Sequence, residues 1–172
     1  MTSIGAVGLQ LYTYGQTISM PFFTDNWRPS SWYEKIAENS RIGLHTLILL
    51  DIKVKEQTLE NMMRKKPIYE PPRFMTVAQC AQQMLETLQD KEDKVYSEHS
   101  LAVGAARLGA ASQQIVCGTL GQLSKADLGP PLHCMVLIGH QRHDLEHNFL
   151  AGFAIDAASF EGSWKLKGVS TN

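Results

Sequence analysis

His45-Thr46-Leu47-Ile48-Leu49-Leu50-Asp51-Ile52 is the stretch on which the fold turns. It is short, nearly all apolar and β-branched in part, the pattern of a strand buried on both faces of a covered sheet. Four other runs share its character, Thr17 to Phe23, Leu101 to Leu108, Gln114 to Thr119 and Leu132 to Ile138. Each is bounded by turn residues, so five strands are expected. Helical patterns lie between them. Ser31-Trp32-Tyr33-Glu34 has the spacing of a capping box, opening a helix that should close near Gly43. Thr58 to Lys66 predicts a second helix, stopped by Pro67. A third opens at Thr76 with Gln79 three residues on, and carries Val77, Cys80, Ala81, Met84, Leu85 and Leu88 on one face. Further helices are expected at about Ile4 to Tyr14, Leu120 to Lys125 and His143 to Phe153.

Strands separated by helices need crossover connections, which predicts an α/β layer structure with largely parallel neighbours. Gly109-Ala110-Ala111-Ser112 is too short for a crossover. The third and fourth strands should therefore form an antiparallel hairpin, and the five-stranded sheet is mixed. Residues 1–155 read as one domain, and 156–172, small and polar apart from Trp164, as a loosely ordered tail.

Composition bounds the function. With 172 residues and 19.2 kDa the chain suits a single domain. Apolar residues at 44% against 19% charged support a packed core and exclude general disorder. A net charge of −1 argues against a nucleic-acid binder held by a basic face. No apolar run approaches the roughly 18 residues of a membrane span. The start, Met1 to Gly8, lacks the basic region of a secretory signal. Three cysteines (Cys80, Cys117, Cys134) without metal-type spacing suit a reduced, cytoplasmic setting.

Local motifs are weak. His143-Asp144-Leu145-Glu146-His147 matches H-x-x-E-H, two possible zinc ligands beside a glutamate base. The third acidic ligand such a site needs has only Glu161 to supply it, so a solvated polar helix face is the simpler expectation. Gly5-x-x-Gly8 and Gly118-x-x-Gly121 lack the full spacing of phosphate-cradling loops. Cys134 stands beside His133, but adjacent strand residues point to opposite faces, so nucleophilic catalysis is unsupported. Arg64-Lys65-Lys66 with Arg73 forms the one basic cluster. Two loops have features of a pocket wall or docking site. Phe22 to Pro29 follows a strand and carries Trp27 and Arg28, where ligands sit in α/β sheets. Ile68 to Phe74 is stiffened by Pro71 and Pro72.

Taken in order, Gly8-Leu9-Gln10-Leu11-Tyr12, Phe23-Thr24-Asp25-x-Trp27-Arg28-Pro29, His45 through Gln57, Ile68-Tyr69-Glu70-Pro71-Pro72-Arg73, Gly118-Thr119-Leu120 and Asp127-Leu128-Gly129-x-Pro131-Leu132-His133 resemble the diphthine synthase family. The likeness runs from about Val7 to Gly139 and is closest to the eukaryotic branch. Its most specific segment is Asp51-Ile52-Lys53-Val54-Lys55-Glu56-Gln57. The resemblance implies the second, carboxyl-terminal domain of the tetrapyrrole methylase fold. It also implies a cytoplasmic homodimer that binds S-adenosylmethionine between two domains and releases S-adenosylhomocysteine. The implied reaction methylates the 3-carboxy-3-aminopropyl arm of a modified histidine on elongation factor 2, with no nucleic acid or membrane as partner. Cofactor contacts carried over by the resemblance fall on Leu50, Leu108 and His133, with Ser3 and Ile4 as a further pair. The family's acidic pair after the Arg-x-Gly-Ala turn is here Ala111-Ser112. The family's first domain, with its Gly-rich strand and Gly-Asp-Pro loop, has no counterpart here, so this chain alone is expected to bind S-adenosylmethionine weakly or not at all. A non-catalytic dimerisation or docking module derived from the same family is the alternative.

Overall fold

The computed structural model describes residues 5–57, 59–63 and 68–166. In chain order the elements are β1 (Ile18–Met20), α1 (Ser31–Arg41), β2 (Thr46–Leu50), β3 (Ile52–Lys53), α2 (Leu59–Met63), β4 (Arg73–Phe74), α3 (Val77–Thr87), β5 (Leu101–Ala106), β6 (Gln114–Thr119), α4 (Leu120–Leu123), β7 (His133–Leu137), α5 (Asp144–Ala151) and α6 (Ala157–Lys165). One mixed sheet has the order β1-β2-β7-β5-β6. The β5–β6 pair is the expected antiparallel hairpin, with Leu101 opposite Thr119 and Ala106 opposite Gln114.

Strand direction differs from the expectation of largely parallel neighbours. Only β1 and β2 run parallel, while β7 is antiparallel to both β2 and β5. The last strand inserts between two earlier ones and reverses both ladders, a long-range choice that local connection lengths do not reveal. The His45 to Ile52 run also divides. Thr46–Leu50 stays in the sheet, and Ile52–Lys53 pairs with Arg73–Phe74 in a separate ribbon.

Alternation along the central strands makes two cores. Ile48 and Leu50 face one side with Met20, Ile36 and Met135, under α1, α3 and α4. Leu47, Val103 and Val136 face the other, where Leu150 of α5 and Phe160 of α6 cover them. A Cβ at Gly104 would lie 2.9 Å from a Val77 methyl, so glycine there lets α3 approach the sheet.

Three local expectations are corrected. Residues 7–14 do not continue a helix; a 3-10 turn at Leu11–Thr13 leads into a bridge from Tyr14 to His45. Ser31 is a helical residue rather than a cap, and its neighbour Ser30 at the cap position makes no side-chain capping bond. Thr76 and Gln79, by contrast, form the full reciprocal box. Residues 157–165 are helical, not a loose tail, because Phe160 is 1% exposed against the second core and Asp156 caps the helix at Ser159 N–H. Residues 167–172, and Thr58 and 64–67 of the expected second helix, lie outside the described residues.

Candidate functional site

Leu50, Leu108 and His133, far apart in sequence, meet at one end of the sheet. Leu49 pairs with Cys134 and Ala106 with His133. Register therefore sets Leu50, at the carboxyl end of β2, and Ala106, at the carboxyl end of β5, on either side of His133 at the start of β7, with Leu108 two residues beyond Ala106. Leu50 is buried in the first core and Leu108 half-buried on the second. Ser3 and Ile4 lie outside the described residues.

The His133 ring is tied at both nitrogens. Nδ1 accepts from the Val77 N–H at 3.3 Å, at the first turn of α3, and Nε2 faces the carbonyls of Gly129 at 3.0 Å and Pro130 at 3.1 Å. An acceptor at Nδ1 leaves the proton on Nε2, where it donates to the loop. With both nitrogens occupied, the side chain is a wall and a strut.

Both loops singled out in the sequence reach this end. The Phe22 N–H donates to Asp51 Oδ2 at 3.2 Å and the Phe23 N–H to Gln83 Oε1 at 3.1 Å. Lys53 and Arg73 lie over the Phe22 ring, Arg28 lies over Phe23, and Trp27 is left exposed. The Pro71-Pro72 loop returns through β4, after which the Met75 N–H donates to the Asp51 carbonyl at 3.0 Å. Leu132 and Tyr69 add exposed apolar surface. Two groups here were not singled out in sequence, Asp51 and Arg107. Asp51 joins three segments, and Arg107 gathers the loop carbonyls beside His133.

His143, Glu146 and His147 do not converge. His143 caps α5, its Nδ1 accepting from the Leu145 N–H at 3.1 Å. His147 turns to Glu161 at 2.8 Å and stacks near Phe160 and Trp164. Glu146 points inward, which also overturns the solvated-face expectation. It is fully buried and accepts from the Gln10 N–H at 2.9 Å and the His143 N–H at 2.9 Å. Fully buried His45 stands 3.4 Å from the same carboxylate, and its Nδ1 accepts from the Gly139 N–H at 2.8 Å. Burial holds the His45 pKa below its ordinary value, the Glu146 charge opposing that shift. Tyr14, packed edge-on to His45, has its hydroxyl pKa raised by burial. Among the described residues no group of three or more His, Cys, Asp or Glu could hold a metal ion. Burial pushes the Cys117 thiol up to about 12, so it is no nucleophile at neutral pH. A cavity of about 90 Å³ lies at the opposite end of the sheet, bordered by Thr46, Leu101, Leu137 and Arg142. No helix among the described residues is long and apolar enough to cross a membrane.

No family model matches the chain. Among curated proteins it is 59% identical to a diphthine methyl ester synthase of Emericella nidulans, over 96% of this chain and 58% of that protein. It is 55% identical to the one of Saccharomyces cerevisiae, over 93% of this chain and 53% of that protein. The chain thus spans little more than half the length of these relatives. Among solved structures, one from Entamoeba histolytica, provisionally described as a diphthine synthase, matches with a TM-score of 0.79 and 43% identity, over 90% of this chain and 56% of that one. A second, described as a diphthine synthase, matches with a TM-score of 0.69 and 26% identity, over 94% of this chain and 53% of that one.

Proposed function

Since the chain belongs to the diphthine synthase family, we propose that it forms the carboxyl-terminal, cofactor-facing part of an S-adenosylmethionine-dependent methyltransferase of diphthamide biosynthesis. The acceptors are the amino group and the carboxylate of the 3-carboxy-3-aminopropyl arm on a modified histidine of elongation factor 2. The enzyme works as a homodimer in the cytoplasm. One observation supports this reading: Leu50, Leu108 and His133 all lie at the same end of the sheet, next to two loops. A docking module without activity is less well supported, since identity to named synthases covers more than nine-tenths of the chain.

The residues fit the group. Half-buried Leu108 and exposed Leu132 offer apolar wall to a flat ring. S-adenosylmethionine supplies an electrophilic methyl on a sulfonium. Displacement at such a carbon depends on holding donor and acceptor close, in line and away from water. Leu50, in the first core, and Leu108, on the second, supply apolar surface from the two faces of this sheet end, while His133, tied to Val77 and the 129–130 carbonyls, fixes the adjoining loop.

The test is a methyl-transfer assay with elongation factor 2 bearing the aminocarboxypropyl intermediate. Labelled methyl should reach the factor from a polypeptide that joins this chain to the remaining length of its relatives. Leu108→Asp should cut transfer at low cofactor concentration by more than about tenfold, the effect of setting a charge in an apolar wall. No transfer by the joined polypeptide overturns the proposal.

A further inference from the structure

We propose that Arg107 is a positioning residue for the cofactor-facing end of the sheet, holding the 128–132 loop and through it the tautomer and orientation of His133; this deepens the function proposed above and rests on it. Arg107 is the first residue past β5 and has φ +50°, a left-handed conformation that residues with side chains seldom adopt. Its N–H donates to the Leu132 carbonyl at 2.9 Å, extending the β5–β7 ladder by one bond. The left-handed step turns the chain so that the next residue, Leu108, packs back against the second core.

Among the described residues its guanidinium engages only neutral acceptors. Nη1 donates to the Leu128 carbonyl at 2.7 Å and to the Pro130 carbonyl. Nε donates to the Ser112 carbonyl at 3.0 Å and lies 3.2 Å from Ser112 Oγ, and Nη2 donates to Gln114 Oε1 at 3.3 Å. Among the described residues no carboxylate forms an ion pair with it. A planar fork with five donors can span carbonyls on two loops at once, which a lysine point charge cannot.

The Pro130 carbonyl is shared, for it also faces His133 Nε2. Arg107 and His133 thus bond the same turn, and His133 passes the constraint to the Val77 N–H at the start of α3. Backbone conformation at Arg107 sets Leu108, its side chain sets the partner of His133, and Leu50 lies beside them in register. Leu108 and His133, two of the residues the resemblance assigns to the cofactor, depend on one residue to which no cofactor contact has been assigned.

The test uses nitrogen-15 NMR of the polypeptide that joins this chain to the remaining length of its relatives, with and without S-adenosylhomocysteine titrated to about 5 mM. Wild type should show a single His133 tautomer with the proton on Nε2. In Arg107→Gln the ring should become a mixture of tautomers, and the Leu132 and His133 amides should exchange at least about tenfold faster. The S-adenosylhomocysteine response at Leu50, Leu108 and His133 should need about fivefold more ligand. Arg107→Lys, which keeps the charge, should restore little of this, and thermal melts check that both variants fold. A wild-type response left unchanged by Arg107→Gln, with an unaltered ring, overturns this inference alone. No saturable wild-type response overturns the proposed function and the cofactor side of this inference together.

Discussion

Replacing Glu146 with glutamine tests whether the H-x-x-E-H motif is structural. The carboxylate is fully buried, and its two oxygens have distinct duties. Oε1 receives the Gln10 N–H at 2.9 Å and faces His45 Nε2 at 3.4 Å and Thr13 Oγ1 at 3.3 Å. Oε2 receives the His143 N–H at 2.9 Å, closing the cap of α5. Its N–H neighbours at Gln10, His45 and His143 are all donors and lie at both oxygens, so an amide cannot satisfy the site in either orientation. With its oxygen kept toward Gln10, its NH2 meets the His143 N–H donor to donor; flipped, it confronts Gln10 and His45 instead. Losing one charge-assisted bond and stranding one buried donor costs about 2–4 kcal/mol. For a chain of this size that is a fall in Tm of roughly 5–15 °C. Urea denaturation followed by circular dichroism should show the same loss through a lower midpoint at constant slope. A Glu146→Gln variant within about 0.5 kcal/mol of wild type, the range of ordinary surface changes, would refute the reasoning. So would a Tm raised by zinc in wild type and not in the variant, since that pattern belongs to a metal site.

Phe160→Ala should destabilise by about 3–5 kcal/mol in the same urea assay, because the ring is 1% exposed in the second core; a loss below about 0.5 kcal/mol would return the last stretch to the status of a loose tail. The chain should also lose stability as pH falls through the ordinary histidine value of 6.5, because burial lowers the pKa of His45. The unfolded chain takes up a proton there that the folded chain refuses, so stability rises with pH across this window with a limiting slope of about 1.4 kcal/mol per pH unit. His45→Asn, whose amide oxygen can take over the Gly139 N–H, should flatten that slope; equal slopes in the two proteins from about pH 5.5 to 7 would exclude the effect.

What was legible followed from local pattern. The five sheet strands, the hairpin after Gly109 and the capped start of α3 all depend on residues within one turn or one strand of each other. Where β7 enters the sheet is set by the packing of Met135 and Val136 against strands more than thirty residues away. The misplaced cap at Ser31 shows the limit of a motif when two serines adjoin, for the chain enters α1 one residue earlier than the spacing implies. The short β3–β4 ribbon was invisible because neither Ile52–Lys53 nor Arg73–Phe74 is long enough to carry a period.

The two ends of the sheet differ in how they treat polar groups, and that difference explains why one end was readable only by resemblance. At the His45 end, charge is buried and answered by side chains whose types hint at their role. The H-x-x-E-H spacing was visible there, though it signalled a cap and a buried carboxylate rather than a metal. At the His133 end the partners are main-chain carbonyls of residues 128 to 130 and the N–H of Val77. Every residue type carries those groups, so nothing in composition or spacing marks them. Arg107 is the extreme case, since its acceptors lie up to 23 residues away and three of the five are backbone oxygens. On the proposed function, aligning a reactive methyl asks for apolar walls and ordered backbone rather than titrating side chains. Such a site carries few chemical marks in sequence, because its work is done by the placement of chain and not by the acidity of any group.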